Sequence, residues 1–312
     1  MKLAFLYAGQ GSQHTGMGRD LYERYPAFRR IFDSAPVDFD LKGLCFEGPE
    51  EQLGQTRYTQ PCMVAFAIGV TQVLEEKGIC PDAVAGLSLG EYSALCAAGV
   101  FSPETAIELV AFRGRAMEQA VQGRPSAMAA VLKLDREPLL QACRDASALG
   151  VVECANFNCP GQIVIAGDQE AVERAGQLAL EAGARRVMPL KVSGPFHTSL
   201  MAAAGEALKE RFERVDFAPM QIPVYFNCLG APMTKGDTIP NLLVRQVQSS
   251  VYLEDTIRRM VQDGVDAIVE IGPGRALGGF VKKTAPQIQT WTVESVEELE
   301  AAVDALKGAE SK

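Results

Sequence analysis

Apolar and polar positions follow two periods along this chain, and their order predicts an α/β fold. The opening apolar run, LAFLYA (3–8), reads as a buried strand, and the glycine-rich stretch GQGSQHTG (9–16) as the turn after it. Residues 17–33 and 61–77 carry helical spacing, and Pro61 suits a first helical position. PDAVAG (81–86) gives a short strand, GLSLG (86–90) a turn, and EYSALCAAG (91–99) a helix. Ser102, Pro103 and Glu104 make a helix start: an N-cap serine, a proline in the first turn, an acid near the positive end of the dipole. That helix reaches about Gln122, where GRPS (123–126) ends it.

Beyond the break the period changes. Strands are predicted over 127–134, 151–158, 162–167 and 185–192, with helices over 136–147 and 169–182. The order β-α-β-β-α-β is that of a ferredoxin-like unit. Residues 125–192 are therefore expected to form a small domain inserted into a larger α/β domain built from 1–124 and 193–312. In the larger part a helix is predicted from Phe196 to Glu213, strands over 221–227 and 266–272, and a helix near 252–263 between them. A turn and helix follow over 272–283, and the final KGAESK (307–312) reads as frayed.

Composition narrows the classes. With 47% hydrophobic and 22% charged residues the chain has an ordinary globular make-up, and no run approaches the ~20 apolar residues of a membrane span. The N-terminal apolar run is too short for a secretory leader, so a cytoplasmic location is expected. A net charge of −9 argues against a general nucleic-acid or anionic-membrane surface, so neither is an expected partner. The eight cysteines show no C-x-x-C pair or zinc-like spacing, and there are only two histidines. Reduced and mostly buried thiols are expected, and no metal site.

The chemistry concentrates at Ser88. Gly86-Leu87-Ser88-Leu89-Gly90 is a Gly-x-Ser-x-Gly pattern between a predicted strand and a predicted helix, the context in which such a serine is held exposed on a sharp turn. A serine nucleophile needs a base, and His14 and His197 are the two candidates. His14 lies in the glycine-rich turn, whereas His197 lies at the junction of the two expected domains, where clefts form. No aspartate partner stands out, which makes a Ser88–His197 dyad the economical reading. On the helix after Ser102, Ala106, Val110, Arg113 and Met117 share one face, and Glu104, Glu108, Arg115 and Glu118 another. Arg113 thus interrupts an apolar stripe, and it must either pair with a protein carboxylate or offer a bidentate site to a substrate carboxylate. The glycine-rich stretches 9–16 and 272–274 lack the nucleotide-binding spacings, but such turns can present backbone N–H groups to an oxyanion.

Seven segments together resemble the malonyl-CoA:acyl carrier protein transacylases: AGQGSQHTGMG (8–18), YTQP (58–61), GLSLGEYSALCAAGVF (86–101), LVAFRGRAM (109–117), NFNCPGQIVIAG (156–167), VSGPFHTSLM (192–201) and VEIGPGRALGG (269–279). They occur in family order over almost the whole length. The resemblance implies an α/β-hydrolase-like large domain with a ferredoxin-like insert, and a ping-pong transfer with no permanently bound cofactor. Malonyl-CoA would be the substrate and acyl carrier protein the acceptor, in fatty-acid synthesis, by a monomeric enzyme. Ser88 would be acylated, His197 would act as base and then acid, and the backbone N–H groups of Gln10 and Leu89 would form the oxyanion hole. Arg113 would pair with the malonyl carboxylate. Asn158 and Gln162 match a segment near the cleft, and Phe196 matches a position where a bulky residue leaves no room for a methyl branch.

Two positions depart from the family. Histidine usually precedes the nucleophile, where this chain has Leu87; that residue is not the base, so its effect falls on the polarity of the turn and the fit of the acyl group. In the segment VQSSVYLEDTIRRM (247–260) the position matched to a histidine-orienting backbone carbonyl is Tyr252. Arg185, Arg186 and Lys191 are either a solvated strand edge or an attraction for an acidic carrier protein. Three alternatives stay open: a trans-acting polyketide malonyl transferase, distinguished by its carrier protein; a hydrolase of acyl carriers, which has little use for Arg113; and a silent carrier-binding module, which would never become acylated.

Overall fold

The computed structural model describes residues 1–310, which build two sheets with helices around them. The described residues form eleven strands: β1 (Leu3–Tyr7), β2 (Ala83–Gly86), β3 (Ser126–Leu132), β4 (Val152–Cys159), β5 (Gln162–Asp168), β6 (Arg186–Pro189), β7 (Val224–Phe226), β8 (Ala231–Pro232), β9 (Val251–Tyr252), β10 (Ala267–Ile271) and β11 (Gln289–Val293). The first sheet runs β11-β10-β1-β2-β7-β8, parallel except for β8. Every residue of β1, β2 and β10 is buried, which is why LAFLY and AIVEI are nearly unbroken apolar runs: a parallel sheet is covered on both faces.

The second sheet runs β6-β3-β5-β4-β9, and its first four strands are antiparallel in the ferredoxin-like order. Alternation along its strands divides two cores. Ala129, Val131, Ile163 and Ile165 face a core made with the helices Arg136–Ala146 and Gln169–Glu181. Met128, Ala130, Val164 and Ala166 face the other way, into the main core. The fifth strand, β9, comes from the C-terminal part of the chain and pairs parallel with β4.

Several predicted elements shift for identifiable reasons. The helix expected over 17–33 is two, Arg19–Arg24 and Pro26–Asp33, because the residue before a proline is driven out of the helical region; Tyr25 is extended, at φ −115°. The helix expected from Pro61 begins at Thr56, since the buried Thr56, Thr59 and Gln60 gain packing that outweighs one lost backbone bond. The strand expected over 185–192 keeps only Arg186–Pro189, and Leu190 and Val192 leave the sheet exposed. The helix expected from Phe196 starts as a 3₁₀ turn at Ser199–Met201 and continues over Ala202–Phe212, which leaves His197 in a loop. The C-terminus does not fray at Lys307: the helix Val296–Glu310 runs through it, and the rest of KGAESK lies outside the described residues.

Candidate active site

The site forms where β1 and β2 end side by side. The turn after β2 is sharp because two glycines allow it: a Cβ on Gly86 would lie 2.0 Å from the Gly90 carbonyl carbon, and one on Gly90 would lie 2.3 Å from the Tyr7 carbonyl oxygen. No other residue fits either place, which gives the Gly-x-Ser-x-Gly spacing its physical meaning. Ser88, between them, has φ 52°, and the helix Gly90–Ala97 starts immediately after. Gly9, in the turn after β1, packs on the carbonyl of Leu87, so the two turns form one wall.

His197 is buried and also has positive φ, 61°. Its loop is anchored across the cleft by Glu153 on β4, whose carboxylate accepts from the Ser199 N–H at 3.1 Å and the Ser199 hydroxyl at 2.5 Å. His197 Nδ1 lies 2.8 Å from the Gln246 carbonyl oxygen, which can only accept, so Nδ1 carries the proton and Nε2 is left as a base. Nε2 meets the Ser88 hydroxyl at 2.6 Å, within the range for proton transfer. The carbonyl on Nδ1 is thus Gln246's and not Tyr252's. Gln246 lies in the last turn of the helix Ile239–Val247, where carbonyls have no helical partner, whereas Tyr252 sits in β9 stacked on Phe157 at 5.1 Å between ring centroids.

Burial, and after it the charge of Arg113, pushes His197 down to about 4. The base form therefore persists through the mildly acidic range. We expect the acid limb of the acylation rate to lie well below pH 6.5, near pH 4, measured by stopped-flow release of free thiol. Stability follows with a defined sign. Between about 4 and the ordinary histidine value the folded state binds fewer protons than the unfolded, so the contribution of His197 is present above 6.5 and is lost as pH falls to about 4.

Arg113 lies 1% exposed on the helix Pro103–Ala120, with Arg115 in solvent, as the interrupted stripe predicts. One guanidinium nitrogen donates to Ser88 Oγ at 3.2 Å and to Gln246 Oε1 at 3.0 Å, and the guanidinium stands 5.6 Å from the Tyr92 ring centroid. Among the described residues Arg113 has no carboxylate within salt-bridge distance, and its Nε has no partner. The nearby acid Glu91 is pushed up to about 8 by burial, against the lowering effects of the Asn227 N–H and the Arg113 charge. An internal salt bridge, one of the two readings of Arg113, is therefore absent. The guanidinium is buried, charged and unpaired beside the serine.

These groups line a cavity of about 450 Å³, closed by Phe196, Leu87, Met117 and Asn158. Asn158 is buried and its Oδ1 has no partner, while Asn156, on the same strand, joins the lining. The N–H groups of Gln10 and Leu89 border the cavity and have no partner among the described residues. Gln162 is elsewhere. It stands at the hairpin end of β5 and lines a separate cavity of about 440 Å³ with Lys133, Arg185, Arg186 and Lys283. His14 is also outside the site, paired with Glu294 at 2.5 Å. Among the described residues no cluster of three His, Cys, Asp or Glu side chains could hold a metal, and no helix is long and apolar enough to cross a membrane.

Two residues of the network come from segments whose spacing gives no hint of the site. Asn227 and Gln246 reach Ser88 from 139 and 158 residues away, and Glu91, in the first turn of the helix after the serine, is fully buried. The helix bearing Gln246 did leave a signal, in Pro240 at its first turn and the apolar series Ile239, Leu242, Leu243 and Val247.

A strand-to-helix serine, a histidine and free N–H groups gather around one cavity, and the class is that of the acyl transferases: a model of the acyl transferase domain matches residues 4–304. Within that class the chain belongs to the malonyl-CoA:acyl carrier protein transacylase family. The Malonyl CoA-acyl carrier protein transacylase of Bacillus subtilis (strain 168) is 44% identical over 309 residues, covering 98% of both chains. The crystal structure of MCAT from Streptococcus pneumoniae superposes with a TM-score of 0.93 at 47% identity, over 97% of this chain and 100% of that one. A malonyl-transacylase in complex with a type II PKS acyl-carrier protein superposes with a TM-score of 0.94 at 39% identity, over 98% and 100%.

Proposed function

We propose that this chain transfers malonyl groups from malonyl-CoA to the phosphopantetheine thiol of an acyl carrier protein, through an acyl-enzyme on Ser88. The observation that carries this reading is the buried, unpaired guanidinium of Arg113 within hydrogen-bond reach of Ser88. A buried charge is costly until it is paired, and a malonyl carboxylate supplies the missing partner where acetyl supplies none.

The steps follow from the geometry. The Ser88 hydroxyl attacks the thioester carbonyl as its proton passes to His197 Nε2. The carbonyl oxygen gains negative charge facing the N–H groups of Gln10 and Leu89. The C–S bond breaks, and Nε2 returns the proton to the leaving CoA sulfur. In the second half the carrier's thiol gives its proton to Nε2 and attacks the malonyl ester, and Ser88 leaves with that proton. Asn158 would contact the acyl or pantetheine portion, Phe196 would exclude a methyl branch, and Leu87 would make this wall apolar. No bound cofactor enters this sequence. We divide the chain into a large domain of 1–124 and 193–312 and a small one of 125–192, a division supported by the separate small core.

Arg185, Arg186, Lys133 and Lys283 face one open cavity and have no carboxylate partner among the described residues, in a chain of net charge −9. They suit an acidic carrier protein. Arg185→Glu with Arg186→Glu should raise KM for the carrier about tenfold and weaken its salt dependence, with the CoA-release burst unchanged. The type II PKS carrier bound by one structural relative supports a polyketide carrier as a second reading. Steady-state transfer to purified fatty-acid and polyketide carriers, with hydrolysis followed in parallel, tests the assignment. Preference for the fatty-acid carrier with little hydrolysis is expected. Dominant hydrolysis would instead make the enzyme a thioesterase.

A further inference from the structure

We propose that Asn227 is a positioning residue for acyl transfer at Ser88, and that the buried carboxyl of Glu91 holds it in place. The inference rests on the role given above to the Ser88–His197 pair.

Asn227 follows β7, is 2% exposed, and does not itself line the cavity. Its Oδ1 accepts from the Ser88 N–H at 2.5 Å, and its Nδ2 donates to the Gly86 carbonyl at 2.6 Å. One amide thus spans the bend at Leu87 and ties both sides of it. The Asn227 N–H donates to Glu91 Oε2 at 2.6 Å, and the Asn227 carbonyl accepts from the Tyr252 N–H at 2.9 Å. Four bonds fix the amide from four directions: the end of β2, the serine, the helix behind the serine, and β9. A second side chain completes the clamp, because Gln246 Nε2 donates to the Ser88 carbonyl at 2.7 Å.

The clamp matters for two reasons. Positive φ at a residue with a Cβ persists only where the surroundings over-determine it, and Ser88 has both its backbone polar groups held by side chains. The clamp also sorts the donors at the start of the helix. The Ser88 N–H is taken by Asn227, and the Leu89 N–H is left without a partner among the described residues, free for the developing oxyanion. Only an amide does both jobs. An aspartate would keep the acceptor for Ser88 and lose the donor to Gly86, and alanine would lose both.

Glu91 acts in series. It is fully buried on the helix behind the serine, and one oxygen serves the Asn227 N–H. The bond needs an acceptor rather than a charge, so glutamine replaces it and alanine does not.

Rapid-quench measurement of CoA release at saturating malonyl-CoA separates position from folding. The burst amplitude counts competent sites, and the rate constant reads their geometry. Asn227→Ala should slow the burst about 100-fold with KM for malonyl-CoA within about threefold, the cost of a slightly misplaced nucleophile. Asn227→Asp, close in shape, should slow it about tenfold. Glu91→Gln should stay within about threefold of wild type, and Glu91→Ala with Asn227→Ala should be no slower than Asn227→Ala alone. A wild-type rate constant in Asn227→Ala, even at reduced amplitude, would overturn the proposal, because Asn227 would then serve folding only. If Asn227→Ala yields no folded protein, a wild-type rate constant in Asn227→Asp overturns it equally. Absence of any burst in the wild-type enzyme would instead remove the Ser88 reading on which the proposal rests.

Discussion

Ser88→Ala is expected to abolish acyl-enzyme formation and to lower malonyl transfer by about 10⁴-fold or more, with the fold intact. The serine hydroxyl meets both His197 Nε2 at 2.6 Å and the Arg113 guanidinium at 3.2 Å. Its removal leaves the base with nothing to deprotonate and the transfer without its covalent intermediate. The fold should tolerate the change, because the bonds that shape the turn come from the backbone of residue 88 and survive in alanine. His197→Ala should fall short of Ser88→Ala by little, since the two groups act as a unit and their losses do not add. The check is the second-order rate of malonyl loading, with circular dichroism to establish the fold.

Arg113→Ala is expected to lower kcat/KM for malonyl-CoA by about 10³-fold while leaving acetyl-CoA loading unchanged or improved. In the native site an acetyl group leaves the guanidinium buried and unpaired, which selects against it; in the variant that penalty disappears. Arg113→Lys should recover only a part, because a point charge cannot reproduce the planar fork. A second effect accompanies the first. The charge of Arg113 ranks after burial among the causes that hold His197 near 4. Without it the acid limb of the loading rate should move upward in pH, though not fully to the ordinary histidine value, because burial remains. A variant that changes acyl preference without moving the limb would separate substrate recognition from the electrostatics of the base.

How much of this was legible in the sequence follows from how local each feature is. The turn that carries Ser88 is dictated by Gly86 and Gly90 within five residues, and Arg113 by one helical repeat, so both could be placed from spacing alone. The first four strands of the second sheet were also readable, because the connections among them are single helices or a hairpin. The partners that hold these groups in place were not. Asn227, Gln246 and the strand β9 arrive from the C-terminal half by tertiary packing, and polar residues that become buried carry no periodic mark. The error at Tyr252 has the same origin. With the helix Ile239–Val247 unrecognised, the free carbonyl at its end had no address in the sequence, and a nearby tyrosine took its place. Gln162 was misplaced because proximity in sequence to Asn158 does not say which side of a hairpin end opens to which cavity.

In the proposed reaction Ser88 becomes malonylated because Arg113 selects the carboxylate. Intact-protein mass spectrometry after brief exposure to equal malonyl-CoA and acetyl-CoA tests it most directly. One malonyl adduct is expected on the wild-type chain and none on Ser88→Ala. An acetyl adduct of equal abundance, or a malonyl adduct that survives in Ser88→Ala, would contradict it.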